Sequence, residues 1–157
     1  MYEVYQNYGV TFRYPGDWEV IEGAQGQEVS IQVQSPASSF WSLSLLLDCP
    51  APADVMETVL GAFRDEYEEL DDYAARATLC EQPTLARDID FVCRELINSA
   101  WIRIFRSGTF TALVLYQSTF HELDEVREAF EEMCSSLVCE EHDAADEEEE
   151  NPRLESL

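Results

Sequence analysis

At 157 residues the chain has the length of one domain. A domain of that size buries roughly 70% of its unfolded surface, so it needs no disulfide or metal staple. Thirty-three acids face nine arginines and no lysine, a formal charge of −24, and such a surface repels phosphate backbones and anionic lipid, which argues against nucleic-acid and membrane partners.

The first pattern has period two. Phe12 and Tyr14 share one face of a short strand, Pro15-Gly16-Asp17 makes a turn, and Trp18 to Glu22 returns. Gly23 to Gly26 reads as a loop. Val29, Ile31 and Val33 then alternate with Ser30, Gln32 and Gln34, a strand with one dry and one wet face. Trp41, Leu43, Leu45 and Leu47 form another. Past Cys49-Pro50-Ala51-Pro52, Asp54 with Glu57 reads as a capping box. It opens an amphipathic helix whose apolar side is Val55, Met56, Val59, Leu60, Phe63, Tyr67 and Leu70. Asp65, Glu66, Glu68 and Glu69 crowd its end, where acids oppose the macrodipole and favour fraying.

Strands resume at Tyr73 to Leu79, and the chain turns at Glu81 to Thr84 around Pro83. Ile89, Phe91 and Cys93 alternate with Asp90, Val92 and Arg94. Asn98-Ser99 reads as a tight turn into Trp101 to Phe105, and Ser107-Gly108 as another into Thr109 to Gln117. Phe110 to Tyr116 is apolar on both faces, which predicts a central strand covered on each side. Thr119 with Glu122 is a second capping box, and Leu123, Val126, Phe130, Met133, Cys134 and Leu137 define a second helix. After Cys139 the apolar signal stops. Residues 140–157 hold nine acids and one arginine, −8 of the −24, which leaves −16 for residues 1–139. The expectation is one domain over 1–139 and a disordered acidic tail over 140–157.

Chemistry is sparse. Without lysine there is no Walker A site, no pyridoxal-phosphate Schiff base and no lysine nucleophile. Gly23-x-x-Gly26 is not a dinucleotide fingerprint, and no Gly-x-Ser-x-Gly elbow occurs. The cysteines are Cys49, Cys80, Cys93, Cys134 and Cys139; an odd count with no signal-peptide pattern at Met1-Tyr2-Glu3-Val4 predicts reduced thiols and a cytoplasmic location. His121 at a helix start and His142 in the acidic tail are poor bases for a cysteine–histidine pair. A metal set of Cys134, Cys139 and His142 is disfavoured, because five residues turn a helix roughly 140°. Glu147 to Glu150 lacks the alternating oxygens and glycine of a calcium loop. With so many acids, Asp71-Asp72 and Asp88/Asp90 carry no signal for acid–base chemistry. Tyr14, Trp18, Trp41 and Trp101 are expected to fill core positions. No catalytic, cofactor-binding, metal-ligating or partner-binding residue is assigned.

The segment Gly9-Val10-Thr11-Phe12-Arg13-Tyr14-Pro15-Gly16-Asp17-Trp18-Glu19-Val20, followed by strands, helix, strands, helix, resembles the PsbP-like superfamily, with the pattern spanning Tyr8 to Val138. The resemblance implies an α+β fold, an antiparallel sheet sandwiched between two amphipathic helices. Its members include the extrinsic PsbP subunit of photosystem II, a Ran-binding nuclear-import factor and Eag-type secretion chaperones. It implies a non-enzymatic module that binds another protein, in one form a secretion-chaperone-like adaptor. An enzyme or small-ligand carrier with a pocket between sheet and helix is the alternative.

Overall fold

The computed structural model describes residues 1–140. Its elements in chain order are β1 (Tyr2–Asn7), β2 (Val10–Pro15), β3 (Glu19–Gln25), β4 (Glu28–Gln34), β5 (Phe40–Leu46), α1 (Pro52–Glu66), β6 (Leu70–Leu79), β7 (Gln82–Cys93), β8 (Leu96–Arg106), β9 (Thr111–Thr119), α2 (Leu123–Ser136) and β10 (Val138–Cys139). They form two antiparallel sheets with two helices. The large sheet runs β3-β4-β5-β9-β8-β7-β6 and the small one β1-β2-β10.

Period-two alternation decides which side each residue serves. On β9, which is the middle strand of seven, Ala112 and Val114 join one buried cluster and Leu113 and Leu115 pack against another. The first cluster holds Phe12 of the small sheet, Ile31, Trp41 and Leu43 of the large one, and Phe130 and Met133 of α2. The second holds Val55, Met56 and Leu60 of α1 on Ile89, Ile102 and Ile104. Burying a large aliphatic or aromatic side chain is worth about 1.5–3 kcal/mol, so these two clusters carry the fold. The face of β4 that bears Ser30, Gln32 and Gln34 stays half-buried, as its polar alternation demands.

Several elements depart from the sequence pattern. β1 has no apolar alternation and was not foreseen; it pairs with β2 from Tyr2↔Pro15 to Asn7↔Val10 and buries only Tyr5. Gly23 lies in β3, not in a loop, because pairing with β4 continues to Gln25↔Glu28 and leaves only Gly26-Gln27 to turn. Gly26 takes φ +60°, a left-handed conformation that glycine adopts without strain.

The first capping box does not form. Ala51 caps α1 without a side-chain bond, and Pro52 starts the helix, where its missing N–H costs nothing. The helix ends at Glu66, so Tyr67 is extended and Leu70 opens β6 opposite Phe91. Asn98 and Ser99 are mid-strand in β8; the turn is Arg94-Glu95, at φ 54° and 66°. The Pro83 turn tightens to Cys80-Glu81, at φ 53° and 62°. Pro83 sits at the start of β7, before pairing with β8 begins at Leu85. Neither turn contains glycine or asparagine, so the usual composition signal is missing.

The second capping box is half made. Glu122 N–H donates to Thr119 Oγ1 at 3.3 Å, but the Glu122 carboxylate turns elsewhere, and α2 starts one residue later. The acidic tail, with His142 and Glu147 to Glu150, lies outside the described residues apart from Glu140, whose N–H donates to Gly9 O at 2.9 Å.

Candidate functional site

Three short segments, with Met1 and Tyr2 at the start of β1, meet to form a cleft of about 520 Å³. The first is the β2–β3 turn, closed by the Trp18 N–H to Pro15 O bond at 3.0 Å. Gly16 donates its N–H to Met1 O at 2.8 Å. A Cβ on Gly16 would stand 3.3 Å from that carbonyl, so the close approach of β1 favours glycine there. Trp18 is buried against Phe130 of α2, edge-on at 6.1 Å.

The second segment is the serine-rich loop between β4 and β5. Buried Ser35 organises it: its Oγ accepts the N–H groups of Ala37 at 3.2 Å and Ser39 at 3.0 Å. That local bonding fixes a loop with no apolar residue of its own beyond Pro36 and Ala37.

The third is the first half of α2. Glu122, Glu125, Val126 and Ala129 follow the i, i+3, i+4, i+7 spacing of one helix face and line the cleft. Glu122 is held by the serine loop. Ser39 Oγ donates to one carboxylate oxygen at 2.6 Å, and Ser38 Oγ donates to the other at 2.5 Å. Burial pushes the Glu122 pKa up, but the Ser38 and Ser39 donors outweigh it, and the net shift is downward. The carboxylate is therefore charged at neutral pH.

Asp17, Glu122, Glu125 and Glu128 give the cleft four carboxylates, and among the described residues no arginine lines it, though Met1 does. Trp18, Pro36, Val126 and Ala129 supply apolar lining. Such a surface suits a ligand that is cationic and partly apolar.

The cysteines divide. Cys134 accepts a hydrogen bond from Trp41 Nε1 at 3.4 Å, and burial pushes its thiol pKa up. Cys49 and Cys93 lie apart, beside α1's start and in the β7–β8 hairpin. Cys80 and Cys139 meet, Sγ to Sγ 3.3 Å, at a groove that Cys134 also lines. Among the described residues no histidine lines that groove, and His121 is exposed in the turn before α2. Among the described residues no three ligating side chains converge on a metal position. Of the acid pairs, Asp72 binds Arg64 at 3.0 Å and Arg87 at 2.6 Å, Asp88 binds Arg103 at 2.8 Å, and Asp71 is exposed. Asp90 accepts from Ser99 at 2.9 Å. Trp41 is fully buried, Trp18 nearly so, and Trp101 is half-buried, stacked on Tyr116 at 5.2 Å.

No site residue was assigned from sequence. The α2 face was legible as spacing, but nothing in the chain linked it to serines more than 80 positions earlier. Cys80 and Cys139 are likewise joined only by tertiary structure.

No helix among the described residues is long and apolar enough to cross a membrane. No protein-family model matches the chain, and no curated protein matches it. Solved structures do. LpqN of Mycobacterium tuberculosis, described as involved in cell envelope biogenesis, aligns at TM-score 0.50 and 10% identity over 88% of this chain and 90% of its own. The PsbP protein of the cyanobacterium Synechocystis aligns at TM-score 0.53 and 14% identity over 88% of this chain and 92% of its own. At such identities the likeness speaks for architecture alone, and the architecture is the PsbP-like fold.

Proposed function

We propose that the chain is a non-enzymatic binding module that takes a basic segment of another protein into the cleft between α2, the β2–β3 turn and the Ser35–Ser39 loop. The sandwich of sheet between two helices is part of the same reading: α2 on one face and α1 on the other make a rigid slab, and the cleft opens at α2's N-terminal end. One observation carries the proposal. Four carboxylates ring a cleft with Trp18, Val126 and Ala129 in its lining, and among the described residues no arginine lines it. An arginine from outside would meet carboxylates for its head and apolar surface for its stem. The overall charge of −24 would speed the encounter with such a partner. A cytoplasmic setting, expected from the cysteines, belongs to the proposal too.

A second reading has its own support. The cleft volume, about 520 Å³, falls in the range of small-ligand sites, which favours a carrier of a small organic cation. Backbone-amide NMR tests both. An arginine- and leucine-containing peptide should shift Trp18, Ala37, Val126 and Ala129. Shifts confined to other surfaces, or none at low salt, would remove the cleft from consideration. A polyamine that binds more tightly than the peptide would favour the carrier.

A further inference from the structure

The groove at the end of α2 brings two thiols together from opposite ends of the fold. Cys80 is the first turn residue of the β6–β7 hairpin, in the large sheet. Cys139 is in β10, which joins the small sheet through Val138↔Thr11 and Cys139↔Val10. They are 59 positions apart in sequence, yet their sulfurs are 3.3 Å apart. The Cys80 thiol also lies 3.4 Å from Leu137 O, to which it donates. The positive φ of Cys80 belongs to the two-residue turn, and that turn sets the sulfur beside β10. Cys80 is half-buried and, among the described residues, lines a groove of about 540 Å³.

We propose that Cys80 and Cys139 form a dithiol site that reacts with small disulfides and closes to a bridge clasping the β6–β7 hairpin to β10. The Cys80 thiolate attacks a disulfide RSSR, forms a protein–S–S–R mixed disulfide and releases RS⁻. The Cys139 thiolate then attacks the Cys80 sulfur, forms the S–S bond and releases the second RS⁻. The two thiol protons end on the two RSH products, and two electrons pass from the protein to the reagent. Cys134 lines the same groove but does not compete. Its sulfur is engaged by Trp41 Nε1–H at 3.4 Å. Closing so long a loop restricts the unfolded chain, so the bridged form is the more stable one.

The reagent for the test is cystamine, a cationic disulfide that an acidic surface does not repel. The reduced, folded full-length chain is incubated with excess cystamine, and its disulfides are mapped by peptide mass spectrometry. The proposal predicts loss of two hydrogens, a Cys80–Cys139 cross-linked peptide, a melting temperature raised by about 5–10 °C, and reversal by dithiothreitol. Cys139→Ser should instead trap cysteamine on Cys80. If that variant does not fold, the mapping on the unmodified chain and on Cys49→Ser/Cys93→Ser, which retains the pair, decides. A chain that stays fully reduced, a bridge between any other two cysteines, or a stable mixed disulfide on the unmodified chain overturns the proposal.

Discussion

Ser39 Oγ donates to Glu122 Oε1 at 2.6 Å across 83 positions of sequence, and through that bond the β4–β5 loop is fastened to the start of α2. The bond explains why Glu122 does not complete a capping box with Thr119: two hydroxyl donors compete successfully for its carboxylate. Because the folded-state pKa of Glu122 is lowered, its contribution is fully present above the ordinary carboxylate pKa and fades as pH falls through the lower folded value. Glu122→Gln should cost about 1 kcal/mol at pH 7, below the usual range for a charge-assisted bond because solvent screens this partly exposed group. Denaturant titrations at pH 7 and at pH 3 test this. The gap between variant and parent should narrow at pH 3; an unchanged or wider gap would mean the carboxylate's charge contributes nothing.

Gly61 sits in the third turn of α1, and a Cβ built on it meets nothing within 4 Å. Glycine in a helix interior costs about 1 kcal/mol relative to alanine. Gly61→Ala should therefore stabilise by about that amount in a chemical denaturation experiment. Destabilisation would mean that this face of α1 carries a contact.

Like charges oppose one another on the outer hairpin. Asp71 of β6 pairs directly with Asp90 of β7, and both are exposed. Across antiparallel strands such a pair is unfavourable. Asp71→Asn should raise the melting temperature by about 2 °C at low ionic strength, with the gain shrinking as salt screens the repulsion. The parent chain should itself be stabilised by moderate sodium chloride, since −16 of its charge lies in residues 1–139. A melting temperature that falls with added salt would show that the arginine–carboxylate pairs dominate instead.

The sequence's legibility followed the strength of local signals. Val29, Ile31 and Val33 named their strand because one face is dry, and Phe110 to Tyr116 named the central strand because both faces are. β1 was invisible because it is an edge that buries a single side chain. The Arg94-Glu95 and Cys80-Glu81 turns were misplaced because non-glycine residues hold positive φ there. Asp54 has the residue type and spacing of a cap, but Pro52 starts the helix earlier, with Ala51 at the N-cap. The cleft stayed hidden for a different reason. Its parts come from the β2–β3 turn, the β4–β5 loop and α2, and each has an ordinary local role.

The binding proposal is tested most directly by charge reversal at the cleft. Glu125→Arg/Glu128→Arg changes two lining carboxylates that the fold does not bury, so the variant should keep the parent's circular dichroism, with melting lowered only slightly by the loss of an acid from α2's first turn. Isothermal titration of both proteins with one arginine- and leucine-containing peptide, at low and at physiological salt, gives the measurement. The account predicts binding by the parent that weakens with salt, and an affinity lowered by about tenfold or more in the variant. Equal affinity in the two proteins would contradict it and place any cationic partner on another surface.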